Sequence, residues 1–186
     1  MSESEPRIVR WPALLLWLFG SAAGCGGEVG QGAAEAAAES RSELTAEVLG
    51  NAVYLMDLVD DGQVRLVDGR FQDTARRVQT AMLPTYAVGD LDGDGAADAA
   101  VVLATSTGGS GTIEHLAAEL NRDGGPVNIA SLYLGDRFQV ERVAIEDGEI
   151  LLEMVVHGPN DAMCCPSVPA ERRYRLGGGQ LVEVER

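Results

Sequence analysis

Asp90-Leu91-Asp92-Gly93-Asp94-Gly95-Ala96-Ala97-Asp98, running straight into Ala99-Ala100-Val101-Val102-Leu103-Ala104, is the stretch on which the fold turns. Its first part carries four carboxylates in nine residues, punctuated by two glycines, a composition that makes a tight turn. Its second part, Asp98 to Thr105, is nearly all apolar. A strand exposed on one face alternates apolar with polar, so an unbroken apolar run marks a central strand covered on both faces. The expectation is an acidic loop feeding the middle of a sheet.

Calcium is a hard cation that takes roughly 6 to 8 oxygen ligands, mostly carboxylates and carbonyls. A single loop supplies them from alternate residues, with a glycine to turn the chain sharply. Asp90, Asp92 and Asp94 occupy the first, third and fifth places, and Gly95 stands at the turn. Ala96 would offer its backbone carbonyl and Asp98 closes the set. The twelfth place, where an EF-hand has a bidentate Glu, is Val101, so the loop is not an EF-hand. Its DxDxDGxxD pattern resembles the loops of dockerin modules and of the FG-GAP blades of integrin-like propellers, in which the loop also leads into an apolar strand. That resemblance covers one loop and implies a structural Ca²⁺ held by Asp90, Asp92, Asp94, Ala96 and Asp98. The competing reading is an Asp-Gly turn with no ion. Close carboxylates repel one another unless a cation neutralises them, which favours the metal.

Outward from this loop, short apolar stretches alternate with turn residues. Ser42 to Leu49 reads as a short helix, with Leu44, Val48 and Leu49 on one face and Gly50-Asn51 as its stop. Strands are expected at Val53–Met56, Val64–Val67, Arg77–Leu83 (stopped by Pro84), Asp98–Thr105, Val127–Leu134, Phe138–Ile145, Ile150–Val156, Arg172–Leu176 and Leu181–Val184. Asp147-Gly148 is a two-residue hairpin signal. Thr112 to Asn121 is ambiguous: Ile113, Leu116, Ala117 and Leu120 have helical spacing, but turns bracket the segment like hairpin ends, and we read it as a strand. The expected class is α+β, predominantly antiparallel β, a single β-rich domain over residues 42–186 with one short N-terminal helix.

The chain's two ends of chemistry lie elsewhere. Arg7 and Arg10 precede the apolar run Trp11 to Phe19, which is shorter than the about 20 residues needed to span a bilayer. Ser21-Ala22-Ala23-Gly24-Cys25 follows. This arrangement reads as a signal peptide over 1–24. Its end resembles the bacterial lipobox, with Ala22 where that motif usually has Leu. The resemblance implies lipidation of Cys25, a membrane anchor and a cell-envelope location; an ordinary signal peptide with Cys25 incidental is the other reading. Residues 25–41, rich in Gly, Ala and Glu, read as a flexible tether.

His157-Gly158-Pro159-Asn160-Asp161-Ala162-Met163-Cys164-Cys165-Pro166 is the second unusual stretch. Three readings are open for it. Cys164 and Cys165 form a vicinal disulfide, or stay as buried thiols, or join His157 and Met163 as soft ligands for copper or zinc. His115, the remaining histidine, reads as structural.

Charge narrows the partners. The 186 residues carry 29 acidic side chains against 14 basic ones, net −15, and contain no Lys. Nucleic acid, which needs clustered cations, is excluded as a partner, and so is a Walker phosphate loop, which needs Lys. Gly108-Gly109-Ser110-Gly111-Thr112 approaches a nucleophile elbow but lacks its last Gly. No catalytic constellation emerges, so a non-catalytic binding or structural role is expected, with redox or soft-metal handling at the Cys pair as the alternative. The succession GDLDGDGAADAAVVL, TGGSGT, YLGDR and HGPNDAMCCP also resembles a group of bacterial exported proteins without an assigned activity. That resemblance implies the envelope location and no mechanism.

Overall fold

The computed structural model describes residues 43–136, 138–162 and 164–185. The signal peptide, Cys25, the tether, Ser42 and Met163 lie outside the described residues. The helix α1 is a single turn, Ala46–Leu49, opened by the Thr45 side chain, which accepts a hydrogen bond from the Val48 N–H. Gly50 caps it, donating its N–H to the Ala46 carbonyl at 2.8 Å, and the chain there runs close against Gly69: a Cβ on Gly50 would lie 3.1 Å from the Gly69 nitrogen.

Eleven strands follow among the described residues: β1 (Val53–Leu55), β2 (Gln63–Arg65), β3 (Arg70–Asp73), β4 (Val78–Gly89), β5 (Asp98–Ser106), β6 (Ile113–Arg122), β7 (Gly125–Asp136), β8 (Gln139–Glu146), β9 (Glu149–Val156), β10 (Val168–Gly177) and β11 (Gln180–Glu183). They form three antiparallel sheets. The hairpin β1-β2 is the smallest, β3-β4-β5-β6-β7 is the central five-stranded sheet, and β11-β10-β9-β8 is a four-stranded sheet. The domain is therefore β-rich and antiparallel, and the helical part of the expected α+β class amounts, among the described residues, to one turn.

β5 explains why there are two cores. Ala100 and Val102 point to the four-stranded sheet, packing with Leu116, Ala118, Ile150, Leu152 and Tyr174. Ala99, Val101 and Leu103 point the other way, into Leu44, Leu49, Tyr54, Val64 and Leu66 of the N-terminal layer. Each of these β5 residues is fully buried, which is the double cover its unbroken apolar run calls for. Burying such side chains stabilises by about 25 cal/mol per Å² of apolar surface, so removing either layer would expose half of this strand.

Two strands depart from the sequence expectation. β3, Arg70–Asp73, has only Phe71 as an apolar residue and was not anticipated; it is held as the edge partner of β4. β4 runs on through Pro84 to Gly89 instead of stopping. Its pairing with β5 shifts between Met82 and Tyr86, so Pro84 sits exposed in a bulge where no ladder N–H is required of it. This extension matters because it delivers the chain to Asp90. At Gly89 the two larger sheets touch: a Cβ there would lie 2.8 Å from Ile145 Cγ2 on β8.

Candidate metal centre

Three elements position the acidic loop: the end of β4, the start of β5, and the end of β6. Antiparallel pairing sets Ala99 opposite Glu119, which brings Asn121 and Arg122 alongside the loop. Within the loop, side chains fold back on main-chain N–H groups. Asp90 Oδ1 accepts from Gly93 N at 2.7 Å and its Oδ2 from Gly95 N at 3.0 Å. Asp92 Oδ1 accepts from Asp94 N at 3.1 Å, and Asp94 Oδ1 from Ala96 N at 2.6 Å. Gly93 and Gly95 have φ of +81° and +79°, left-handed values that a side chain would strain.

Asp98 anchors the floor. It is buried, and its two oxygens accept from Leu91 N and Asn121 N, both at 2.9 Å. Burial raises its carboxyl above the ordinary range, the two N–H donors oppose this, and the Asp92 and Asp94 carboxylates add to the rise. One ligand atom from each of Asp90, Asp92 and Asp98 lies within 4.8 Å of the others, a group able to hold a metal ion. A cleft of about 430 Å³ lined by Asp90, Gly93, Ile145, Asp147 and Gly148 opens beside it.

Asp94 is not in this convergent group. Its Oδ2 takes Arg122 Nη1 at 2.9 Å, and Arg122 Nη2 pairs with Asp92. The fold thus carries its own cation to the loop. Ala96 is buried. Arg122, Asn121 and the Leu91 N–H were not identifiable as loop partners from sequence, since they are placed by strand register and backbone path, not by a local motif.

In the second stretch, Cys164 and Cys165 are joined as a vicinal disulfide. Asp161 ties the preceding loop, accepting from Gly158 N, Ser167 N and Ser167 Oγ, each at 2.8 Å. These hydrogen bonds, Gly158 first, hold its carboxyl below the usual range. His157 Nε2 is buried without a hydrogen-bond partner among the described residues. Bonded sulfurs cannot serve as thiolate ligands. The Gly108–Gly111 segment connects two antiparallel strands, β5 and β6, so the strand-to-helix setting of a nucleophile elbow is missing there.

Comparison with protein-family models, with curated proteins and with solved structures finds no match for this chain. The function has to be read from the chemistry of its own sites.

Proposed function

We propose that the chain is an envelope protein, lipid-anchored through Cys25, whose β-rich domain is braced by one Ca²⁺ in the Asp90–Asp98 loop and serves a binding or structural role rather than catalysis. The observation that carries the metal assignment is the convergence of Asp90, Asp92 and Asp98. All-oxygen ligation suits calcium over softer ions. A buried carboxyl whose pKa is raised is one that gains from a counter-cation, and Asp98 is such a group. The ion would clamp the end of β4 to the start of β5, the two strands that bring the central sheet together. The envelope location rests on the N-terminal sequence and the lipobox resemblance.

The metal reading is tested by thermal melts of the full chain in chelator and then with calcium restored. A ligand that binds only the folded state adds about 2.7 kcal/mol at a hundredfold excess over Kd. A rise in Tm with calcium, absent in Asp92→Asn, supports the site; superimposable melts reject it. Mass spectrometry of Cys25 in cells tests the anchor.

A second reading, redox handling, is favoured over soft-metal handling by the Cys164–Cys165 bridge. Reversible reduction at a cellular potential would support it.

A further inference from the structure

β7 is the last strand of the central sheet, and its outer edge carries no partner strand among the described residues. It pairs with β6 alone, and no backbone hydrogen bond joins it to any other described element. Such a row of N–H and C=O groups is a template for a further strand, and folded proteins blunt it with charge, proline, bulges or a cover. β7 has these devices at its ends only: Pro126 near the start, and breaks in its register with β6 at Ala118/Glu119 and at Glu114/His115. Between the breaks Ala130 to Tyr133 stay in regular register, and no charged residue occurs from Gly125 to Gly135.

A cleft of about 590 Å³ runs along this stretch, lined by the consecutive residues Ile129 to Tyr133. Successive side chains of a strand point to opposite faces, so a cleft that meets an unbroken run looks onto the strand's edge. Leu132 packs into the core shared with the four-stranded sheet, as does Leu181 of β11. Tyr133 lies on the other face, edge-on to His115, and is 54% exposed. The β1-β2 hairpin walls the cleft on the Tyr133 side with Leu55 and Asp57, and the β10-β11 turn walls it on the Leu132 side. The edge is recessed between two layers.

We infer that this cleft takes an extended segment of another protein as a sixth strand of the central sheet, a segment of β-branched residues that carries basic charge. Main-chain hydrogen bonds to β7 would hold it, with alternate side chains against Leu132 and Leu181 on one face and against Tyr133 and Leu55 on the other. A second copy of β7 brings the same two walls with it, and these would meet before the strands could pair; a single extended chain has none. The charge follows from the β1-β2 loop. Asp57, Asp60 and Asp61 stand between Val53 and Gln63 with no basic residue among them. Of these, Asp60 pairs with Arg76, and the Asp57 side chain is 76% exposed. The opposite wall, Gly177 to Gln180, is uncharged, and the whole chain carries −15. The cleft gives the binding role proposed above a surface, and it does not rest on the calcium assignment.

The test titrates the full chain into fluorescein-labelled Lys-Val-Thr-Val-Ser-Val-Lys in moderate salt and reads anisotropy. Two copies serve as controls, one with Glu in place of each Lys and one N-methylated at its central amides, which keeps the side chains but removes the main-chain donors. The expected result is saturable binding of the basic peptide, weaker by roughly tenfold or more for the N-methylated copy, the equivalent of a few lost hydrogen bonds, and weaker also for the acidic copy. Hydrogen–deuterium exchange should slow in Gly125–Asp136 when the basic peptide is bound. Tyr133 is exposed, so Tyr133→Lys leaves the fold intact by circular dichroism, and it should weaken binding of the basic peptide. Equal binding of the N-methylated or acidic copy, no saturable binding, or slowed exchange elsewhere than β7 would overturn the inference. So would a dimer in sedimentation with β7 protected before peptide is added, which would make a second copy the occupant.

Discussion

Glu119→Gln should make the protein more stable, and by an amount that depends on pH. Glu119 lies in the middle of β6, fully buried on the face toward the N-terminal layer, near Tyr54. Neither carboxylate oxygen has a hydrogen-bond partner among the described residues. Asn128 is close enough to pull the other way, but its amide is engaged with the Ala118 and Ala130 carbonyls. Burial pushes the carboxyl from an ordinary 4.5 up to about 8. Between those values the folded chain holds a proton that the unfolded chain has released. The Glu119 contribution is therefore fully present below about pH 4.5 and is lost as pH rises through about 8, at up to about 1.4 kcal/mol per pH unit. Gln keeps the shape and has no proton to lose. Urea denaturation followed by circular dichroism should find the variant close to wild type at pH 5 and about 2–4 kcal/mol more stable at pH 8. Glu114, pushed up to about 7 by burial, adds a slope of the same sign, but it is present in both proteins and cancels in the difference. A difference between variant and wild type that is the same at pH 5 and pH 8 would refute the reasoning.

Other perturbations test other parts of the account. Gly89→Ala puts a methyl group 2.8 Å from Ile145 Cγ2, and overpacking of this kind should cost about 1–3 kcal/mol in urea denaturation; an unchanged midpoint would mean the two sheets are not in contact there. Arg122→Gln removes the guanidinium that pairs with Asp92 and Asp94. Exposed ion pairs contribute about 0.2–1 kcal/mol each, so calcium affinity by calorimetric titration should rise roughly two- to thirtyfold; no gain would show that Arg122 does not compete with the ion. Thiol titration of a Cys25→Ser variant prepared without reductant should find no reactive thiol, with two, Cys164 and Cys165, appearing on reduction; a reactive thiol at the outset would contradict the bridge.

The sequence was most informative where one physical requirement dominated. The unbroken apolar run of β5 announced a strand covered on both faces, and the Asp147-Gly148 pair announced its hairpin: both residues have positive φ, 52° and 75°. β6 was harder because its burial ignores polarity. His115 and Glu119 are as buried as Leu116, so counting only apolar residues leaves a pattern of helical spacing on a strand. β3 had little apolar content to show and exists because β4 offers it an edge. Pro84 looked like a stop, but a bulge lets the ladder resume at Tyr86. At the loop, the spacing of Asp90, Asp92 and Asp98 was legible, whereas the diversion of Asp94 to Arg122 was not. That pairing spans 28 residues and depends on the β5-β6 register, which no local motif encodes.

The central claim is that the acidic loop holds one calcium ion, and equilibrium dialysis of the full chain against ⁴⁵Ca²⁺ measures it most directly. The expected result is saturation at about one ion per chain with Kd of roughly 10⁻⁴ to 10⁻³ M, the range of weak single-loop calcium sites, and loss of that site in Asp92→Asn. Binding that never saturates, or a site that survives Asp92→Asn unchanged, would contradict it.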